Sequence, residues 1–374
     1  MTERMNYNEK ALLTLVRAGL WEKETQLLPF GSIGFDSLMH LAEEQSVEGL
    51  VTAGLEQVKD SQTPKEWTLQ FIGSTLQIEQ RNKGMNAFIA DLITRMRRAG
   101  IYTLLVKGQG IAQCYEKPTW RACGDVDLFL SEDNYEKAKE FLIPLASSVE
   151  KEFDREKHLG MTIDGWMVEL HGRLYSGLSS RIERVLDEVQ KDTFFGGAVR
   201  SWSCDGVQVF LLKEENDVFY VFTHILQHFY KEGVGLRQIC DWCRLLWTYR
   251  DKMDLRMLES RIRRAGLMSE WQAFGAFAVD YLGMPVEAMP FYSYGSCWKL
   301  KARRISRFVL NVGNMGHNRE KIYRNRSYLV RKGFSAIRRI GDLFHHAMIF
   351  PLDSVRFSFA IMKNGLRSAM RGEG

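Results

Sequence analysis

The sequence predicts an α+β fold, with a small mixed β-sheet between an N-terminal helical region, residues 1–100, and a C-terminal one, residues 216–374. Apolar residues recur at helical spacing before residue 100 and again after 215, whereas residues 101–215 are built of short apolar runs broken by turns. Within this middle segment, Arg121-Ala-Cys-Gly-Asp-Val-Asp-Leu-Phe-Leu130 reads as a buried strand interrupted by two aspartates.

The elements follow in order. Phe88, Leu92 and Met96, with Ile89 and Ile93 beside them, stand at the i, i+4 spacing of an amphipathic helix that opens after Thr63-Pro64 and stops at Gly100. His40 and the pair Glu43-Glu44 read as ordinary residues of a surface helix. Residues 101–106 form a short apolar run with β-branched and aromatic members. Lys107-Gly-Gln-Gly110 and a helical stretch through Tyr115 follow, which gives strand, glycine turn, helix. After the Asp-x-Asp strand come a helix over 134–145 and two runs, around 149–153 and 165–170, separated by turn residues. Helices are then expected over 218–230, 236–249, 255–265 and 270–282. Pro285, Pro290 and Tyr292-Ser-Tyr-Gly-Ser296 mark a loop before a basic, aromatic-rich remainder.

At 374 residues, 45% hydrophobic and 26% charged, the chain has the composition of a soluble globular protein with room for two or three domains. It shows no cationic start followed by an apolar stretch and no run of eighteen uncharged apolar residues. Neither a signal peptide nor a membrane span is expected, and a cytoplasmic location is. Of the cysteines only Cys240 and Cys243 form a C-x-x-C pair, and no second pair completes a zinc site. Their helical surroundings predict half-buried reduced thiols. Residues 299–374 carry 17 Lys and Arg against 4 acidic residues, a net of +13, so the overall +5 leaves −8 for residues 1–298.

Successive strand side chains point to opposite faces, so Asp125 and Asp127 share one face while Val126 and Leu128 share the other. Two like charges side by side call for a positive partner, and a hard divalent cation such as Mg²⁺ is the usual one. A third carboxylate on a neighbouring strand would complete a site able to hold metal and to take a proton from an attacking hydroxyl. Glu169 is the candidate, because alternation in Trp166-Met-Val-Glu-Leu-His171 puts Glu169 and His171 on one face. Gly108 and Gly110 would let backbone amides approach a phosphate, with Lys107 and Arg121 pairing to its oxygens. The spacing is not that of a Walker A loop. His224 and His228 lie four apart on one helix face, but Ile225 stands where a zinc-protease motif has glutamate, so packing near the cleft is expected of them. Arg237 and Asp241, also four apart, read as a helix ion pair.

These residues resemble a known family. Lys107-Gly108, Arg121-x-x-Gly124-Asp125-x-Asp127 and Glu169-Leu-His171 look like the bacterial nucleotidyltransferase-like proteins of the polymerase β superfamily, in the branch described as uncharacterised nucleotidyltransferases. The resemblance covers roughly residues 65–250, including His158 and the Gly235-Leu-Arg-Gln-x-x-Asp-Trp242 region. It implies a nucleotidyltransferase core that binds Mg²⁺, or Mn²⁺, and moves a nucleoside monophosphate from an NTP to the hydroxyl of an unknown acceptor. Carried over, Asp125, Asp127 and Glu169 are metal ligands and catalytic residues, and Lys107, Gly108, Gln109, Arg121 and Gly124 meet the nucleotide. His158, His171, His224, His228, Arg237 and Asp241 are substrate-domain candidates. Many superfamily members carry Gly-Gly or Gly-Ser where this chain has Gly108-Gln109. That departure motivates an alternative, a catalytically lapsed nucleotide-binding or interaction protein on the same fold.

A metal-dependent glycosyltransferase, which can also use Asp-x-Asp, is a lesser alternative, since a sugar-nucleotide fold would need a larger parallel α/β domain before the motif. In the basic remainder, Phe308, Tyr323, Tyr328, Phe334, Phe344, Phe350, Phe357 and Phe359 are interleaved with cations. That pattern suits single-stranded nucleic acid or an anionic membrane surface, to which the protein would bind peripherally, and equally a basic-faced helical bundle.

Overall fold

A computed structural model describes residues 5–60, 63–153, 156–314 and 341–370. The predicted α+β class is realised around a seven-stranded mixed sheet. Four helices precede it: α1 (Tyr7–Trp21), α2 (Phe35–Gln45), α3 (Glu48–Leu55) and the long α4 (Lys65–Arg98), which starts after Pro64 as the sequence predicts. The strands are β1 (Leu104–Val106), β2 (Asp125–Phe129), β3 (Ser148–Val149), β4 (His158–Ile163), β5 (Trp166–His171), β6 (Val199–Cys204) and β7 (Val207–Leu212). Between them lie α5 (Gly108–Ala112), α6 (Glu132–Leu142) and α7 (Ser180–Phe194). After the sheet come α8 (Glu214–Lys231), α9 (Leu236–Tyr249), α10 (Leu255–Ala265), α11 (Met268–Leu282), α12 (Ser296–Val312) and α13 (Pro351–Met370). The spatial strand order is β3-β4-β5-β2-β1-β7-β6, with β2 parallel to β5 and antiparallel to β1.

Three strands escape the sequence reading: β4, β6 and β7. Two Asp-Gly dipeptides account for them. Asp164-Gly165 and Asp205-Gly206 both take positive φ, at 50° and 82° and at 46° and 80°. Each closes a two-residue hairpin, because left-handed backbone at both central positions matches the twist of the flanking strands. The first hairpin fixes Ile163 opposite Trp166, and hence His158 opposite His171 and Gly160 opposite Glu169. A one-residue slip would send every one of these side chains to the other face.

Alternation divides the sheet between two cores. Leu105, Val126, Leu128, Val168 and Leu170 point to one side, where α4 brings Phe88, Ile89, Leu92, Ile93 and Met96, and α6 brings Tyr135 and Leu142. Leu104, Val106, Phe129 and Leu212 point to the other, into a larger core that joins α1, α7 and the later helices. Its centre is aromatic. Phe222 of α8 stacks on Trp242 of α9 with centroids 5.0 Å apart, and Trp271 of α11 meets both edge-on at 4.8 Å. Cys240 and Cys243 are fully buried in this core as free thiols, deeper than the half-burial their helix predicts.

Three aromatics of the basic remainder, Phe308, Phe350 and Phe357, are buried there as well, so they are core residues rather than stacking platforms. Phe344 and Phe359 are exposed, and Tyr323, Tyr328 and Phe334 lie outside the described residues. Among the described residues no helix is long and apolar enough to cross a membrane.

Glu270 sits fully buried in the same core, where burial, reinforced by the charge of Asp353 on α13, pushes its carboxyl up to about 8. A carboxyl held protonated in the folded state contributes less and less as pH rises from its unfolded value, about 4.3, to 8. Glu270→Gln is therefore expected to flatten the fall of unfolding free energy between pH 5 and 8, as read from urea denaturation across that range. An unchanged pH slope would refute this account.

Candidate active site

The parallel register of β2 on β5 places Asp127 directly beside Glu169, and Asp125 beside Met167. Asp125, Asp127, Glu169 and His171 thus share one sheet face, as alternation predicts. That face opens beneath α8 into a cleft with a cavity volume of about 280 Å³ that continues into open solvent. Lys107, Gly108, Arg121, His158, His224, His228, Arg237 and Asp241 also line it.

The positive partner demanded by the paired aspartates comes in part from the protein itself. Lys107 follows β1 with φ 57° and ψ −147°, a region that costs a non-glycine residue about 1–3 kcal/mol. That backbone aims the side chain inward, and the ammonium lies 2.6 Å from Oδ1 of Asp127. Burial opposes the charge on Lys107, but Asp127, with Glu169 and Asp125 behind it, outweighs burial and holds the ammonium well above the ordinary lysine range. Asp125 has no such partner. Its carboxylate forms no hydrogen bond or ion pair among the described residues, and the charge of Asp127, followed by burial, pushes its carboxyl up.

Two imidazoles converge on the other carboxylates. His171 Nε2 donates to Asp127 Oδ1 at 2.8 Å and lies 3.5 Å from Glu169 Oε2, while His158 Nε2 donates to that same Oε2 at 3.1 Å. Burial raises the Glu169 carboxyl, yet hydrogen bonds from His158 and His171 pull it far below the usual range. For His171 burial works against the charged form, and the bonds to Asp127 and Glu169 prevail and raise it. Across the cleft His224 Nε2 is 3.4 Å from the Lys107 ammonium and 3.3 Å from His228 Nε2. Burial, helped by the charge of Lys107, keeps His224 neutral well below the ordinary histidine range.

Several predicted contacts fall elsewhere. Arg121, at the cleft wall, is held in a bidentate pair with Asp241, Nε to Oδ1 at 2.8 Å and Nη2 to Oδ2 at 2.7 Å, and Tyr115 donates to the same Oδ1 at 2.8 Å. The expected Arg237–Asp241 helix pair is thus replaced. Arg237 donates instead from Nη1 to the carbonyl of Ala122 at 3.0 Å, leaving its Nε without a partner at the cleft wall.

Gln109, expected at the nucleotide, is buried against α4 and donates to Asn82 Oδ1 at 2.7 Å. Asn82 in turn donates to the carbonyls of Thr119 and Arg121, both at 2.8 Å. Gln109 therefore braces the segment leading into β2. Gly110 serves packing, since a Cβ there would come within 2.8 Å of Leu211. Gly108, at φ 44° and beside Asp125, does border the cleft. Gly124 has open space around its Cα and is exposed.

Tyr220 was not legible from the sequence. It lies one turn before His224 on the cleft side of α8, and burial, with Lys107 opposing, pushes its phenol up to about 12. The i, i+4, i+8 spacing of Tyr220, His224 and His228 is the signal that could have found it.

Asp125 offers a carboxylate without a side-chain partner on the same face as Asp127 and Glu169, and oxygen is the donor Mg²⁺ takes. Among the described residues, however, the three ligating side chains that lie within 4.8 Å of one another are His158, Glu169 and His171, not the three carboxylates.

Residues 31–283 match the model of a family described as uncharacterised nucleotidyltransferase, and the chain belongs to that family. Among solved structures, that of an antigenic nucleotidyltransferase-like protein from Paracoccidioides brasiliensis is similar at 13% identity and a TM-score of 0.33, over 54% of this chain and 93% of that one. No curated protein matches the chain.

Asp241→Ala would leave the Arg121 guanidinium buried without its counter-charge. We expect a loss of roughly 3–5 kcal/mol in urea denaturation, with much of it recovered in Arg121→Met/Asp241→Leu, where both charges are removed. A loss below about 1 kcal/mol, the range of exposed pairs, would show that water reaches the pair.

Proposed function

We propose that the chain is a Mg²⁺-dependent nucleotidyltransferase that moves a nucleoside monophosphate from an NTP to a hydroxyl of an acceptor. The observation that carries this reading is the register of Asp127 on Glu169, with Asp125 on the same face, at the floor of a cleft that Lys107 and Arg237 also line. A divalent ion on Asp125, Asp127 and Glu169, Mg²⁺ or Mn²⁺ in its place, supplies Lewis-acid stabilisation of the phosphoryl oxygens when bound.

The chain's own residues supply the rest. The Lys107 ammonium and the Arg237 guanidinium, whose Nε has no protein partner, are the cleft's donors for phosphate oxygens. Gly108 keeps the backbone beside them free of a Cβ. Arg121 and Gln109 act indirectly, by holding the segment before β2 in place. In the transfer, the acceptor hydroxyl gives its proton to solvent as its oxygen bonds to the α-phosphorus, the bond from that phosphorus to the bridging oxygen breaks, and pyrophosphate leaves. Glu169, drawn far down by two imidazoles, is a weak base and suits the role of ligand better than that of proton acceptor.

One observation favours a second reading, a lapsed enzyme that binds nucleotide without transferring it. The Lys107 ammonium already neutralises Asp127 at 2.6 Å, which is part of the work a metal would do.

Thermal-shift and calorimetric titrations of each NTP, with and without Mg²⁺, test the proposal on the wild type and on Asp125→Asn. We expect Mg²⁺-dependent binding that weakens at least about tenfold in the variant, a loss of about 1.4 kcal/mol, together with pyrophosphate release once a suitable acceptor is supplied. Binding without release across sugars, nucleic acid ends and protein hydroxyls supports the lapsed reading. Absence of binding by every NTP defeats both.

A further inference from the structure

The hairpin of β4 and β5 gathers a second set of donors, different in kind from the carboxylates over β2. His158 and His171 stand opposite one another, and each presents Nε2 to the same atom, Oε2 of Glu169. These three ligand atoms lie within 4.8 Å of one another. Oδ1 of Asp127 adjoins them, 2.8 Å from His171 Nε2.

The separations are those of hydrogen bonds, and they also fit the edges of a coordination shell in which a metal ion replaces the Nε2 protons. An ion with bonds of about 2.0–2.1 Å spaces neighbouring ligand atoms about 3.3 Å apart in a tetrahedron and about 2.9 Å apart in an octahedron. The observed edges are 3.1 Å from His158 to Glu169, 3.5 Å from His171 to Glu169 and 2.8 Å from His171 to Asp127. All three side chains with Nε2 or Oε2 at this point are partly buried on adjacent strands, so the set is built on the sheet rather than on mobile loops.

We propose that His158, Glu169 and His171, with Asp127 at their edge, form a second metal site, one that takes a borderline divalent ion such as Zn²⁺, Mn²⁺ or Co²⁺. Imidazole nitrogen selects such ions, whereas Mg²⁺ prefers oxygen alone. Strand order separates the two positions. In the sequence β4-β5-β2-β1, the imidazole set spans β4 and β5, while Asp125 lies on β2 and Lys107 follows β1. Glu169 and Asp127 fall between them and are shared. The cleft then holds two chemically unequal cation positions, the second suited to lowering the pKa of a bound hydroxyl. That use rests on the transfer reading; the site itself does not.

The test uses the metal-stripped full-length protein without nucleotide. Co²⁺ is titrated by visible absorption and Zn²⁺ by calorimetry, on the wild type, His158→Ala and His158→Gln. We expect one equivalent to bind with the absorption of nitrogen-containing ligation, resistance to a large excess of Mg²⁺, and at least a tenfold loss in both variants.

Long-range proton–nitrogen spectra of the wild type with Zn²⁺ give a readout free of any folding defect in a variant. The Nε2 resonances of His158 and His171 should shift. Absence of stoichiometric binding, unmoved His158 and His171 resonances, or equal displacement by Mg²⁺ would overturn the proposal. A separate wild-type titration with Mg²⁺ and NTP distinguishes the two readings. Failure there with Co²⁺ binding intact removes the transfer function and leaves this site, and the converse removes this site alone.

Discussion

Three carboxylates on one face of two adjacent strands impose the constraint that organises the cleft. Asp127 is almost completely buried and Glu169 mostly so, and charges of one sign brought that close in a partly dry space must be compensated. The compensation is uneven. Asp127 receives Lys107 and His171, Glu169 receives His158 and His171, and Asp125 receives none of them. The Asp125 carboxylate feels the charges of Lys107 and Arg237 only at a distance, and repulsion from Asp127 with burial raises it.

Backbone strain is spent on the same problem. Lys107 adopts a conformation natural to glycine so that its side chain turns back toward β2. Asp127 stabilises the ammonium at the end of that side chain, and His224 beside it stays neutral. Strain of this kind persists only where surrounding contacts over-determine the geometry. Here those contacts are the register of β1 on β2 and the packing of α5 against β1, β2 and α9.

The frame that holds β2 is built from residues that look functional and are structural. Arg121 and Asp241 form a buried bidentate pair across the segment preceding β2 and α9, and Tyr115 shares it. Gln109 and Asn82 fix the backbone of that same segment from the α4 side. The motif Lys107-Gly108-Gln109 therefore divides its work. Lysine and glycine face the cleft, and glutamine faces the core.

Local patterning by itself determined a good deal. Helical periodicity located α4 and α8 to α11, because an amphipathic stripe depends on nothing beyond its own residues, and strand alternation put Asp125 with Asp127 and Glu169 with His171. The Asp-Gly turns that create β4, β6 and β7 were also written locally, in the strongest short hairpin signal there is, and could have been read. What only the tertiary structure decided was partnership. That Arg121 would pair with Asp241, that Arg237 would leave its helix neighbour, and that His158 would come to rest on Glu169 all depend on strand order and register. Those are set by which faces bury together, and no spacing along the chain encodes them.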